Sequence, residues 1–354
     1  MIRIKRISNI LVFLFTLFLS NQLYAQIGGG NTYSFLKLSP SARLEALGGV
    51  LVPLNKKDIN LVYQNPALLD TSLNNYLGVS SVLFPGGINH GLVSYALKTK
   101  RFGTLGMHIQ YVNYGRFQRS DAGGNKTGSF YASETALALS WSGELAPFKY
   151  GFNFKVINSF LEQYYSFGLA LDASLMYVNE LNDFFAVAAI KNVGKQIISY
   201  TGSNNEKLPF DIQLSIGQKI EHVPMTFIGT FHHLYKWDIR YSDPNIVTTD
   251  VFLGDSTVEK SYLFDKAMRH FVLGVEFNLS RNMDLRMGYN YLRRHELLVK
   301  SKRSSMGFSW GISFKIKKFK LDFSRSKYHV SGTTNNISLT LNMMELKKKT
   351  LNKL

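Results

Sequence analysis

The chain of 354 residues contains no cysteine. That excludes a disulfide-stapled scaffold and any Cys-ligated metal centre. Long apolar runs are also missing beyond Gln26. The longest, at 184–190 (FFAVAAI), suits a strand and falls short of the ~20 residues a membrane-spanning helix needs. Catalytic signatures are absent as well: eight histidines occur, but neither an H-E-x-x-H frame nor a G-x-S-x-G elbow. Asp121-Ala122-Gly123-Gly124-Asn125 has the wrong ligand spacing for a calcium loop, and Val193-Gly194-Lys195 lacks the leading glycines of a phosphate loop. His232 and His233 are neighbours on an expected strand, so they should face opposite sides and share no metal. No metal and no cofactor is expected. Acidic residues are few: 24 Asp and Glu against 41 Lys and Arg leave a net charge of +17.

A secretion signal opens the chain. Arg3, Lys5 and Arg6 precede the apolar run Ile10 to Leu19, and Leu23-Tyr24-Ala25 is an acceptable cleavage site before Gln26. The apolar run is too short for a transmembrane anchor. Export also removes nucleic acid as the partner of the positive charge. Anionic lipid headgroups, an acidic partner, or lysines scattered over lumen and rim account for it instead.

Strict alternation of apolar and polar residues is the dominant pattern after Asn75. Met306, Phe308, Trp310, Ile312 and Phe314 alternate with Gly307, Ser309, Gly311 and Ser313, and the same rhythm recurs at 271–279 and 210–216. Side chains on a strand point alternately to opposite faces, so each such segment has one apolar and one polar face. We expect about fourteen strands: 75–84, 88–98, 102–114, 129–142, 147–160, 164–178, 183–192, 209–219, 222–235, 269–280, 282–294, 303–316, 319–327 and 335–343. Connections mostly alternate short and long, the long ones being 115–128, 193–208, 236–268, 295–302 and 328–334, while 85–88 and 161–164 are short where long ones are due. Short periplasmic turns and longer extracellular loops are the habit of outer-membrane barrels. The expected fold is therefore all-β, a transmembrane antiparallel barrel with both termini in the periplasm and the long loops outside.

Four regions follow: a signal peptide 1–25, an N-terminal hatch or plug 26–73, the barrel 74–344 and a basic periplasmic tail 345–354. The stretch before the first strand does not alternate. Ser39 or Ser41 can cap a short helix that ends at Gly48-Gly49, and Asn65-Pro66 signals a turn. By the strand register, Glu134, Lys149, Asn153, Lys155, Asp172, Asp211, Glu276, Lys315, Lys320 and Asp322 face the lumen, where charges of both signs should pair. Arg43 or Glu45 is expected to meet them. The loop 236–268 mixes aromatics (Trp237, Tyr241, Phe252, Tyr262, Phe264) with charges that include Arg240, and a basic run begins at Arg293 and Arg294. Such a mixture suits a protein interface.

The order of signal, SARLEALGG at 41–49, NPALL at 65–69, IQYVNYG at 109–115 and a run of strands resembles the PorV/PorQ group of Bacteroidetes outer-membrane proteins, distant relatives of FadL. GGGNTYSFLKLSPSARLEALGG and YVNYGRFQRSDAGGNKTGSFYASE resemble its PorQ-like members most. The resemblance implies a FadL-like barrel with a hatch carrying Ser41, Ala42, Arg43, Gly48, Gly49, Asn65, Pro66 and Ala67. It also implies a non-enzymatic part in the type IX secretion system. There, PorQ-like proteins anchor the surface protein PorZ in an attachment complex with the sortase PorU and the shuttle PorV. Outer-membrane lipid, including lipopolysaccharide, is the other expected partner. Three readings stand at this point: the anchor, a FadL-like channel for hydrophobic molecules or PorV-like cargo shuttle, and a barrel hydrolase with a Ser-His or Asp-His cluster at the outer rim.

Overall fold

The computed structural model describes residues 31–54, 57–202, 205–240, 263–297, 305–329 and 332–344. The expected signal peptide, residues 241–262 and the basic tail from 345 lie outside them. The described residues form fourteen strands: β1 (Tyr76–Leu83), β2 (Asn89–Thr99), β3 (Gly103–Ser120), β4 (Lys126–Leu145), β5 (Phe148–Leu161), β6 (Tyr164–Asn179), β7 (Phe184–Ile198), β8 (Asp211–Lys219), β9 (Met225–Phe231), β10 (Phe271–Ser280), β11 (Met283–Asn290), β12 (Phe308–Ile316), β13 (Phe319–His329) and β14 (Gly332–Asn342). Each pairs antiparallel with its neighbours in the chain, and β14 closes on β1 with Tyr76 opposite Asn342 and Leu83 opposite Asn335. Closure leaves no unpaired sheet edge, which is the condition for strands to exist in lipid.

The alternation sets which face is which. On β12, Phe308, Trp310 and Phe314 are exposed, whereas Ser309 and Ser313 are buried. Phe152 and Phe154 on β5, Leu171 and Leu175 on β6, and Leu214 and Ile216 on β8 point outward in the same way. An apolar outer wall of this extent is a lipid-facing surface. No helix among the described residues is long and apolar enough to cross a membrane. The span is made by strands.

Several boundaries differ from expectation, each for a local reason. The stretch expected as a loop at 115–128 is mostly strand: β3 and β4 continue pairing to Ser120 opposite Lys126. Most positions there are exposed, so no apolar face advertises the strand. Met306 does not continue the outward row of β12; it sits in the preceding turn, fully buried. β11 ends at Asn290, and a helix, Tyr291–Leu297, replaces the end of the expected strand. Strands β8, β9 and β11 are only 9, 7 and 8 residues long against 18 and 20 for β3 and β4, so the wall is uneven. The strands on the low side border the longer connections in the chain, 199–210, 232–270 and 291–307.

In outer-membrane barrels the longer connections face the cell exterior. An epitope tag between Asp121 and Asn125 should therefore be reached by antibody on intact cells. A tag at Ala146-Pro147, in the turn between β4 and β5, should be reached only after permeabilisation. Labelling of the second tag on intact cells would invert the assignment of the two rims.

The segment ahead of β1 packs against the inner wall. It holds two short helices, α1 (Ala42–Ala46) and α2 (Ile59–Val62), with 3-10 turns at Ser34–Lys37, Pro66–Leu68 and Thr71–Leu73. Leu44, Leu47, Leu51, Leu54, Ile59, Leu61, Leu68 and Leu73 form one buried cluster with the wall residues Ala96, Met176, Val187 and Ile228. At about 1.5–3 kcal/mol for each fully buried aliphatic side chain, this cluster holds the segment against the wall. Asn31 bridges to Lys207 and Tyr33 bonds Ser166, both at the rim with the long connections. Asp58 and Asn60 reach Lys320 and Thr340 near the opposite rim. The described chain thus begins at the long-connection rim and descends to β1.

Candidate functional site

Beside the apolar cluster, polar groups inside the barrel tie the N-terminal segment to the wall. Helix α1 shows how. Ser41 stands at its N-cap but makes no capping bond with its side chain; Pro40 precedes the helix instead of starting it. The cap comes from the wall: Ala42 N donates to Ser338 Oγ at 2.8 Å, and Ser338 in turn bonds Ser80 at 2.7 Å. An orphan helix N–H is thereby satisfied across the barrel interior. Gly48 and Gly49 end the helix with φ of +101° and +81°, a conformation that glycine adopts without Cβ strain. Asn290 Nδ2 donates to Gly48 O. Further along, Ala67 N donates to Ser174 Oγ at 2.9 Å, and Ser142 bonds Leu69 O. Pro66 and Asn65 are buried beside it.

Charged side chains close the arrangement. Arg43 bonds Glu276 at 2.9 Å; Glu276 bonds Arg286 at 2.6 Å; Arg286 bonds Asp322 at 2.7 Å. Lys320 lies 3.4 Å from Asp322 and 3.0 Å from Asp58, and Asp58 is 3.7 Å from Arg43. Three cations and three carboxylates alternate around one ring of near-zero net charge, with Asp284 attached to Arg286 at 3.1 Å. Arg43, Asp58, Glu276, Arg286 and Asp322 are 2% exposed or less. Charges removed from water this far must be paired. A second set joins Lys155 to Asp172 at 2.6 Å and to Asn192, beneath the ring of Tyr63 at 4.9 Å. Glu45 binds Arg293 at 2.6 Å.

The other expected lumen residues are spread apart. Glu134 accepts from Tyr114 at 2.5 Å. Asp211 accepts from His233 N and from Gln213. Lys149 is half-buried and Lys315 exposed at the short-turn rim. Arg286 and Asp58 were missed by sequence reasoning. Arg286 had a signal, since Leu285 and Met287 flank it on the outward face; Asp58 lies where no periodicity operates.

The loop residues divide. Trp237 is 59% exposed and stacks on His270, and Phe264 is 72% exposed on α3 (Leu263–Arg269). Arg240 is paired with Asp238. Tyr241, Phe252 and Tyr262 lie outside the described residues. Arg293 and Arg294, expected in an outward loop, belong to α4 (Tyr291–Leu297). Arg293 turns inward to Glu45, because that buried carboxylate needs a cation. Arg294 reaches Met306 O.

His232 and His233 overturn the expectation of opposite faces. β9 stops at Phe231, and His233 takes φ +55°, so the two rings converge with Nδ1 atoms 2.5 Å apart. Burial holds both imidazoles below their usual protonation range, and as a neutral pair one ring donates to the other. No group of three or more metal-ligating side chains occurs among the described residues. Among the described residues Ser94 Oγ meets His108 Nδ1 at 2.8 Å, but both residues are sealed inside the wall at 0% and 2% exposure. The other ring nitrogen of His108 has no partner among the described residues, so no third group orients the imidazole as a hydrolytic triad requires.

No protein-family model matches the chain, and no curated protein matches it in sequence. Among solved structures it is similar to a deltaS2 mutant of the TodX monoaromatic hydrocarbon channel, with a TM-score of 0.50 and 12% identity over 86% of this chain and 98% of that one. The CymD monoaromatic hydrocarbon channel gives 0.47 and 11% over 87% and 97%, and a Pseudomonas aeruginosa FadL homologue 0.46 and 9% over 86% and 98%. At such identity the likeness is one of fold: a closed antiparallel barrel of the outer-membrane kind.

Proposed function

We propose that the chain is a FadL-type channel that admits small hydrophobic molecules at the long-connection rim, with residues 31–73 as the hatch that decides access. One observation carries this reading. Tyr33, Phe35 and Leu36 form an apolar cluster with Val112, Ala136, Ile157, Ala170 and Leu208 at that rim, separate from the larger leucine cluster deeper in the barrel. An apolar patch with a few polar groups around it is the usual composition of a small-molecule site. Because the hatch fills the lumen, passage requires it to shift.

The lack of cysteine makes that requirement testable. Ala67→Cys with Ser174→Cys puts two thiols on residues that are already neighbours, the main-chain nitrogen of Ala67 lying 2.9 Å from the Ser174 hydroxyl. In proteoliposomes the oxidised protein should pass an apolar fluorescent probe several-fold more slowly than the same protein after reduction. Equal rates would remove the moving hatch.

A second reading, the anchor for a PorZ-like surface protein of the type IX secretion system, is favoured by the exposed rim residues Trp237, Leu263 and Phe264. It draws also on the sequence resemblance and on the tightness of the charged ring. An anchor works with a fixed hatch. Under this reading the oxidised lock leaves surface attachment of cargo intact, whereas shortening 241–262 releases the partner.

A further inference from the structure

Six strands of the outer wall carry an aromatic at the upper margin, and the β13–β14 margin is a gap among them that carries cations instead. On β5, β6, β9, β10, β11 and β12 the outward residue nearest the long-connection rim is Phe160, Tyr165, Phe231, Phe271, Tyr289 or Phe308. On β13 the equivalent positions are Arg325 and Lys327, and on β14 they are Thr333 and Asn335. The four are adjacent across the strands: Arg325 lies opposite Asn335 and Lys327 opposite Thr333. Arg325 Nη2 donates to Thr333 Oγ1 at 2.9 Å, which holds the guanidinium across the sheet. Among the described residues neither cation has a carboxylate partner. Directly below, Phe323, Leu321 and Ile337 continue the apolar wall.

We propose that this gap is a binding site for the phosphate of an outer-leaflet lipid headgroup. Location decides the occupant, since a patch that continues the lipid-facing wall is covered by lipid. Charge decides the headgroup. Two unpaired cations with a hydroxyl and an amide beside them suit a phosphate, for which an arginine fork offers paired donors. A sugar-only headgroup would leave both cations uncompensated, and a zwitterionic one would bring its own cation beside them. The basic run at Arg293 does not compete for this role, because its first arginine is spent on Glu45 inside the barrel.

The test is lipid binding to the purified full-length protein in detergent, read by native mass spectrometry. Bisphosphorylated lipid A, its dephosphorylated form and inorganic phosphate serve as probes. Wild-type protein should retain the phosphorylated lipid, retain the dephosphorylated form far less, and keep the former in the presence of excess inorganic phosphate. Arg325→Gln with Lys327→Gln should weaken retention roughly tenfold or more, two surface cations having been lost. Arg325→Lys should keep most of it. Both positions are on the outer surface, and the gel shift on heating checks that the variants remain folded. If wild type holds both lipids equally, if inorganic phosphate displaces the lipid, or if the folded double variant binds as wild type does, the site is refuted.

Discussion

Glu276→Gln should lower the stability of the barrel by about 3–5 kcal/mol, the cost of removing one partner from a buried charge cluster. Glu276 is 0% exposed and is the carboxylate between Arg43 and Arg286, both about 1% exposed. Glutamine keeps the shape but leaves two guanidiniums facing one uncharged group, and the ring acquires a net positive charge. Thermal unfolding followed by the gel shift of the folded barrel measures the loss. Glu162→Gln is the control: Glu162 pairs with Arg119 in the exposed upper hairpin, and such pairs contribute about 0–1 kcal/mol. A second change separates charge from packing. Arg43→Met in the Glu276→Gln background removes the excess cation and should recover part of the loss, since a methionine of similar length needs no counter-ion. If Glu276→Gln is no worse than Glu162→Gln, the ring contributes nothing beyond a surface pair.

The ring also marks how far the sequence could be read. Where lipid lies on one side and the lumen on the other, periodicity is forced, and Phe308 to Phe314 or Phe152 to Phe154 announced both the strands and their inner face. That register pointed Glu276 and Asp322 inward. It failed where the asymmetry of environment fails. The β3–β4 hairpin beyond Asn113 is wet on both sides and reads as loop. Met306 fits the alternation but belongs to a turn. His232 and His233 alternate in sequence, yet β9 ends one residue earlier, and the left-handed turn at His233 brings their rings together. Inside the lumen no period operates at all. Asp58 and Arg43 are recognisable as partners only once the segment is folded against β10, β11 and β13.

Gly151→Val should unseat the N-terminal segment while the barrel still closes. Gly151 lies on the inner face of β5, and a Cβ there would sit 2.3 Å from the carbonyl carbon of Pro66 and 2.5 Å from Ala67 N. Both are backbone atoms of the segment, so no side chain can turn aside; the 3-10 turn at Pro66–Leu68 must move. Its bond from Ala67 N to Ser174 then breaks, and the buried contacts of Leu68 and Leu69 loosen with it. Overpacking of this kind costs about 1–3 kcal/mol. That cost falls on the segment rather than on the strands, because β5 keeps its register with β4 and β6. Gly288 is a second point of close approach, its added Cβ meeting Gly48 N at 2.4 Å, and Gly288→Val should act in the same direction. Gly229 is the contrasting position: it faces outward, and the nearest atoms to an added Cβ belong to the movable ring of Phe271. Gly229→Ala should be close to neutral. The measurements are ion current in planar bilayers and protease cleavage of the N-terminal segment in the detergent-solubilised barrel. Gly151→Val should raise both above wild type by several-fold, with the gel shift of the folded barrel retained. If Gly151→Val remains as closed and as resistant as Gly229→Ala, the segment is not held by its fit to the wall at β5, and the charged ring alone must be what keeps it in place.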